Sequence, residues 1–261
     1  MTRESLARRF RPAGFEQPEN SRRNYVKPRR ELQYIFDRWV EEISNTIFDW
    51  CISEEQYNKA FELVKPLGEI PYREANSLLA DFNPKTEGQK EAGLFVSACY
   101  THSPENTIIF DLDAPEIHCI GYGTNKNIVN NGKVGKWFAR GSSGLSVNNG
   151  ECGNFFANLS SGLSIKKENR LDWFSAKSSG LVIVIEESKG YWIVKKDRTI
   201  KPVDCERIPG LKEYLDELGN LTKAIKDEES AKIFLERYGP EPKEKIERDI
   251  QEILWNREFE I

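Results

Sequence analysis

The chain of 261 residues has two histidines, one methionine and no apolar run approaching twenty residues. So little histidine leaves few side chains for metal binding or for proton transfer near neutral pH, and the missing apolar run excludes a membrane-spanning helix. Five cysteines, odd in number and irregularly spaced, make no disulfide framework and fit reduced thiols in a cytoplasmic protein. The opening Met1-Thr2-Arg3-Glu4-Ser5 has no apolar segment of the kind a signal peptide needs, which points the same way. No G-x-S-x-G, P-loop or G-x-G-x-x-G stands in a usable context. Charged residues make up 31%, biased to Glu, Lys and Arg, a composition compatible with a thermophilic or archaeal source.

What is present is a repeat. From residue 124 to 195 the sequence divides into four rows of eighteen without a gap: TNKNIVNNGKVGKWFARG, SSGLSVNNGECGNFFANL, SSGLSIKKENRLDWFSAK and SSGLVIVIEESKGYWIVK. Ser142, Ser160 and Ser178 open the last three rows, followed by Gly144, Gly162 and Gly180 and then Leu145, Leu163 and Leu181. Trp137-Phe138 recurs as Phe155-Phe156, Trp173-Phe174 and Tyr191-Trp192. A short fixed period with Gly, Asn and Ser at corners and apolar residues between them is the mark of a solenoid. Eighteen residues is too short for a helix pair and suits one turn of a parallel β-helix, whose coils stack about 4.8 Å apart. Stacking makes columns of like residues, so Leu145, Leu163 and Leu181 form one, with Val147, Ile165 and Ile183 beside them as core. Ser146, Ser164 and Val182, alternating with these, are expected to face outward. Ser142, Ser160 and Ser178 are expected to hydrogen-bond along the stack, and the three glycines to allow tight turning or close backbone approach.

The row N-G-x-x-G-x-aromatic-F-A-x-x-S-S-G-L-x-[VI] resembles the glycine-rich repeat of the GXGXG β-helix domain, found at the C-terminus of the glutamate synthase large subunit and in one of the subunits of archaeal formylmethanofuran dehydrogenases. Gly132, Gly135, Gly144, Gly150, Gly153 and Gly162 fall on that family's glycine positions. Glu168 and Glu186, and Leu171 and Lys189, replace two of them in later rows, and Ala139 and Ala157 stand where the family often has Gly. The resemblance covers residues 106–195. It implies a right-handed β-helix serving as a scaffold between catalytic parts, with other subunits of an oxidoreductase complex as partners; it brings no catalytic residue.

The flanks read as helices. Residues 1–30 carry nine Arg or Lys against three Glu, a net of +6 that leaves −10 for the remainder, and read as an extended basic arm. Residues 31–105 form an N-terminal helical region: Leu32, Ile35, Phe36, Trp39, Val40, Ile43 and Ile47 mark one amphipathic helix, Ser53-Glu54-Glu55-Gln56 a capping box for a second, and Pro71 to Phe82 a third. The segment 88–101 is apolar and ambiguous. The solenoid spans 106–203 in about five coils, the first being the row 106–123, and residues 204–261 form a helical cap with Ile233, Phe234, Ile246, Ile250, Ile253 and Leu254 inward. The fold class is thus α+β, a single-stranded parallel β-helix capped by helices at both ends.

Three functional readings compete. Both histidines lie near cysteines, in Cys99-x-x-His102 and His118-Cys119, which offers a small metal-dependent or hydrolytic enzyme; a fourth ligand is missing, and packed Cys with ordinary His is the plainer account. The arm offers nucleic-acid binding, against which the acidic remainder counts. Left-handed hexapeptide acyltransferases also stack eighteen-residue coils, but the apolar position fails to recur six residues after Leu145 (Glu151) or Leu163 (Asn169). The preferred reading is a non-enzymatic scaffold or assembly subunit with no cofactor, no metal and protein partners. Trp137, Phe155, Trp173 and Tyr191 are its expected binding residues, an outward stripe that the N-terminal helix or a partner must cover. No membrane association is expected.

Overall fold

The structure, a computed structural model, describes residues 26–45, 50–167, 179–186, 190–195, 198–200, 202–239 and 241–255. Among the described residues four α-helices come first: α1 (Arg30–Ile43), α2 (Trp50–Val64), α3 (Tyr72–Ala80) and α4 (Gly93–Thr101). The strands follow as β1 (Thr107–Phe110), β2 (Asp113–Ala114), β3 (Asn127–Asn130), β4 (Lys133–Val134), β5 (Leu145–Asn148), β6 (Glu151–Cys152), β7 (Leu163–Lys167), β8 (Leu181–Glu186), β9 (Gly190–Lys195) and β10 (Arg198–Ile200). The chain then forms α5 (Pro202–Arg207), α6 (Leu211–Ala224), α7 (Glu228–Tyr238) and α8 (Pro242–Trp255). Strands β1, β3, β5, β7 and β8 pair in parallel as the chain climbs four turns, and β2, β4 and β6 pair in parallel beside them. The protein is therefore a β-solenoid of eighteen-residue coils with helices at both ends, and Leu163 lies between Leu145 and Leu181 as the period requires.

Two rows depart from the period. Thr107 pairs with Asn127, a step of twenty, whereas Gly135 N–H bonds Ile117 O, a step of eighteen. The first coil is thus two residues longer than the row 106–123, the excess lying between Ala114 and Ile117. At the other end, β9 turns back antiparallel on β8, placing Tyr191 opposite Ile185, and β10 follows antiparallel again. The solenoid accordingly has four turns, not five. At the corner after the long strand the coils approach closely: a Cβ on Gly132 would lie 2.1 Å from Leu112 O, and one on Gly150 2.0 Å from Gly132 O.

The strands bury both faces, and the expected assignment of faces is inverted. Ile128 Cδ1 would meet a Cβ on Gly121 at 2.8 Å, Asn148 Nδ2 reaches Cys152 Sγ at 3.4 Å, and Lys166 Nζ lies 5.9 Å from the Phe156 ring centre. The column Ile128, Ser146, Ser164 and Val182 therefore faces the lumen. Leu145, Leu163, Leu181, Val147, Ile165 and Ile183 face the C-terminal helices: Ile185, on the same face, would touch a Cβ on Gly219 of α6 at 3.0 Å. Asn149 and Asn131 donate to Thr222 O and Ile225 O at 2.9 Å each, tying the coils to the end of α6. Parallel sheets are stable with both faces covered, and here α6 supplies the second cover. Ser146 and Ser164 are consequently fully buried rather than outward, and the Ser164 hydroxyl has no partner among the described residues.

The helical flanks share one hydrophobic cluster with the coils. In α1 the face Leu32, Phe36, Trp39, Val40 and Ile43 is buried, and its aromatics go to Phe95 of α4 and to Phe82, not to the solenoid corner. The segment left ambiguous is α4, buried along Gly93–Tyr100. Helix α2 starts at Trp50, ahead of the expected capping box. Ile233, expected inside, is 55% exposed while its neighbour Phe234 is buried. The last residues of the expected arm are not free: Arg29 donates through Nε to Glu74 Oε1 (3.0 Å) and through Nη1 to Leu67 O (3.1 Å), and its backbone N–H also reaches Glu74 (2.6 Å). Residues 1–25, Ile47, Trp173 and Ser178 lie outside the described residues.

Two outcomes follow for stability. Leu163→Asp and Ser164→Asp should both unfold the solenoid, since each buries an unpaired carboxylate at a cost of several kcal/mol against a total of about 5–15. The exposed Ser161→Asp should melt like the wild type in circular dichroism. Equal melts for Ser161→Asp and Ser164→Asp would refute the lumen assignment. Removing residues 1–30 should cost more than removing 1–25, because only the first strips Glu74 of Arg29. That pair is half-buried, so roughly 2 kcal/mol, or 4–8 °C in melting temperature, is expected for Arg29→Ala.

Candidate interaction surface

The first two aromatic pairs, Trp137-Phe138 and Phe155-Phe156, sit on a corner, not on a strand. Trp137 and Ala139 have φ of 66° and 57°, Phe155 and Ala157 74° and 50°, and Cys119 and Gly121 63° and 77° at the same row positions of the first coil. Left-handed conformation costs a non-glycine residue about 1–2 kcal/mol, so the corner holds only because stacking over-determines it. It also turns successive N–H groups in opposite directions along the stack. Trp137 N–H donates onward to Asn154 O (2.9 Å), and Ala139 N–H donates back to Ile120 O (2.8 Å). The alanines noted as departures from the family's glycine thus occupy the positions where glycine is least strained.

The corner divides these two pairs between inside and outside. Phe138 and Phe156 are buried and stacked at 5.7 Å. Trp137 and Phe155 are half-buried and stacked face to face, centroids 4.0 Å apart and planes 7° from parallel. The Arg140 guanidinium lies 4.7 Å from the Trp137 ring centre and 5.7 Å from that of Tyr122, and Tyr122 packs at 5.2 Å on Tyr57 of α2. A single stack therefore runs Tyr57, Tyr122, Arg140, Trp137, Phe155 along the outside of the coils. Leu159 beside it is 46% exposed. Tyr191 does not join: on β9 its hydroxyl donates to Asp216 of α6, and its phenol is pushed well above the ordinary value by burial and that carboxylate. Trp173 lies outside the described residues.

Sequence reasoning missed the members of the stack that are not aromatic pairs. Tyr122 lies one period before Arg140, and Cys119 one period before Trp137, so the row 106–123 already aligned them; residues of different chemical type at those positions left no visible repeat. The Cys119 thiol is buried and donates to Glu91 Oε2 at 2.8 Å. Burial raises both the thiol and the carboxyl, which keeps the thiol protonated and poorly nucleophilic.

Ser142 Oγ and Ser160 Oγ are 3.2 Å apart, and Ser160 Oγ donates to Ser142 O at 2.9 Å. Leu145, Leu163 and Leu181 are buried, and a Cβ on Gly162 or Gly180 would stand 1.9 Å from the carbonyl oxygen of the glycine one coil before.

The rival cysteine–histidine reading gains no site. Burial pushes the Cys99 thiol far up, the His102 ring packs on Phe61 at 4.7 Å, and His118 Nδ1 accepts the Lys136 N–H at 3.2 Å. Among the described residues no three His, Cys, Asp or Glu side chains converge as a metal site. No helix among them is long and apolar enough to cross a membrane.

His118 gives a pH dependence. Burial, then Lys136 and Lys90, lower its pKa from 6.5 to about 4. The unfolded chain binds that proton first, so stability should fall as pH drops from about 6.5 toward 4. In His118→Asn, whose amide oxygen can still accept the Lys136 N–H, that part of the slope should vanish from pH-dependent melts; an unchanged slope would assign it to other groups.

Comparison with protein-family models, with curated proteins and with solved structures returned no match.

Proposed function

We propose that the chain is a non-enzymatic scaffold or assembly subunit, and that a partner protein docks on the corner carrying Trp137 and Phe155. The observation that carries this reading is the face-to-face pair itself: two large rings, stacked at 4.0 Å and half-buried on a corner whose backbone is fixed from both neighbouring coils. Rigid aromatics of this kind lose little entropy on binding, and aromatic residues dominate interface energetics. Arg140 and exposed Leu159 extend the patch. The resemblance to the GXGXG domain of multisubunit oxidoreductases supports the same role and names the class of partner, other subunits of such a complex. The protonated, buried thiols of Cys99 and Cys119 favour this reading over a hydrolase.

Full-length protein carrying Phe155→Ala or Trp137→Ala should stay folded, losing about 1–2 kcal/mol of stacking and partial burial, yet lose a partner that co-purifies with wild type by at least tenfold. A stable partner retained by both variants at wild-type yield would overturn the assignment of this corner.

A further inference from the structure

Two Asn-Gly pairs stand one period apart, Asn131-Gly132 and Asn149-Gly150, at the corner that follows β3 and β5. Asn131 Nδ2 donates to Ile225 O and Asn149 Nδ2 to Thr222 O, each at 2.9 Å, and Asn149 Nδ2 also donates to Asn131 Oδ1 at 3.1 Å. The last carbonyls of a helix have no partner within it, and the negative end of its dipole disfavours an anion. Neutral amides on adjacent coils thus close the end of α6. The residue after each asparagine is equally constrained. A Cβ on Gly132 would stand 2.1 Å from Leu112 O, and one on Gly150 2.0 Å from Gly132 O.

The end of α6 thus selects asparagine, and stacking selects glycine. Together they make a dipeptide prone to deamidation, since no side chain shields the glycine nitrogen. In that reaction the glycine nitrogen attacks the asparagine Cγ, a C–N bond forms, the side-chain nitrogen leaves as ammonia, and a cyclic succinimide results. Water then opens the ring at either carbonyl, giving aspartate or isoaspartate, so that water is consumed and ammonia released. In the docked state both reacting groups are engaged elsewhere. Gly132 N–H donates to Asn130 Oδ1 at 3.1 Å and Gly150 N–H to Asn130 O at 3.0 Å, while the asparagine amides are held by α6. Both pairs are half-buried, so water reaches them once the helix lifts.

We propose that these pairs are modification sites and form a one-way latch on α6. While the helix is docked neither pair reacts; when its end lifts they deamidate, and α6 cannot regain the same seat. An aspartate at either position presents only acceptors to a carbonyl oxygen, and an isoaspartate lengthens the main chain at a corner whose rise is set by glycine contacts. Asn149 is the stronger half of the latch. It donates both to α6 and to Asn131, whereas a carboxylate in place of Asn131 still accepts from Asn149.

Peptide mapping by mass spectrometry, after incubation of the full chain at mildly alkaline pH beside a urea-unfolded control, tests the protection. Both sites should deamidate at least about tenfold more slowly in the folded protein. Hydrogen exchange then reads the latch itself. Asn149→Asp should speed exchange of the α6 amides about tenfold or more while β3 and β5 keep the wild-type rate, and it should hasten deamidation of Asn131. Asn131→Asp should have the smaller effect on α6. Should Asn149→Asp fail to fold, Asn131→Asp decides on the same readout. Equal deamidation of folded and unfolded chains overturns the proposal. So does α6 exchange that neither variant changes, a larger effect at Asn131 than at Asn149, or acceleration spread evenly over the whole chain.

Discussion

Every coil rests its backbone on a carbonyl of the coil before it. At Gly162 and Gly180 an added Cβ would stand 1.9 Å from that oxygen, at Gly150 2.0 Å and at Gly144 2.3 Å, distances no side chain survives. Two glycine columns at different corners therefore fix the rise of each turn at the spacing of a parallel ladder. Once the rise is fixed, like residues must lie on like residues. The serine ladder, the stacked phenylalanines inside and the Trp137–Phe155 stack outside are consequences of that one constraint. The chain leaves the pattern at β9, which turns back antiparallel on β8 and closes the fourth row as a hairpin.

The period made the solenoid and its columns legible, because repetition is independent of what covers each face. The inner and outer faces were not legible. Leu-x-Val alternating with Ser suggests a strand with one wet side, and an alternation says only which residues share a face. The rule fails because α6 lays a second apolar layer on the sheet, so the leucine face meets helix and the small serines fill a narrow lumen opposite Phe138 and Phe156. Small side chains are what such a lumen can hold, and Ser142 and Ser146 satisfy one another there at 3.0 Å. The corner conformation was hidden for a related reason. Positive φ at Trp137 and Phe155 is set by contacts eighteen residues away, and no local propensity of an aromatic residue announces it.

The same long-range constraint separates Tyr191 from the stripe to which its spacing assigned it. A column survives only as long as the coils climb in parallel, and the hairpin of β8 and β9 moves Tyr191 to the helix-covered face, where Asp216 takes its hydroxyl. Among the described residues the outside carries a stiff ridge with an arginine between rings: Tyr122 and Trp137 flank the Arg140 guanidinium, Phe155 is half-buried and Leu159 exposed. Arg140 is itself 5% exposed, so its charge contributes little to long-range steering and much to the flatness of the rings beside it. A surface fixed in this way is preorganised: a partner meeting it would order no loop and few rotamers, and the ordering cost that usually offsets a small interface would be low. That low cost is the physical argument for placing the proposed partner on this corner rather than on the helices, whose outer faces carry flexible Lys and Glu that would have to be stilled first.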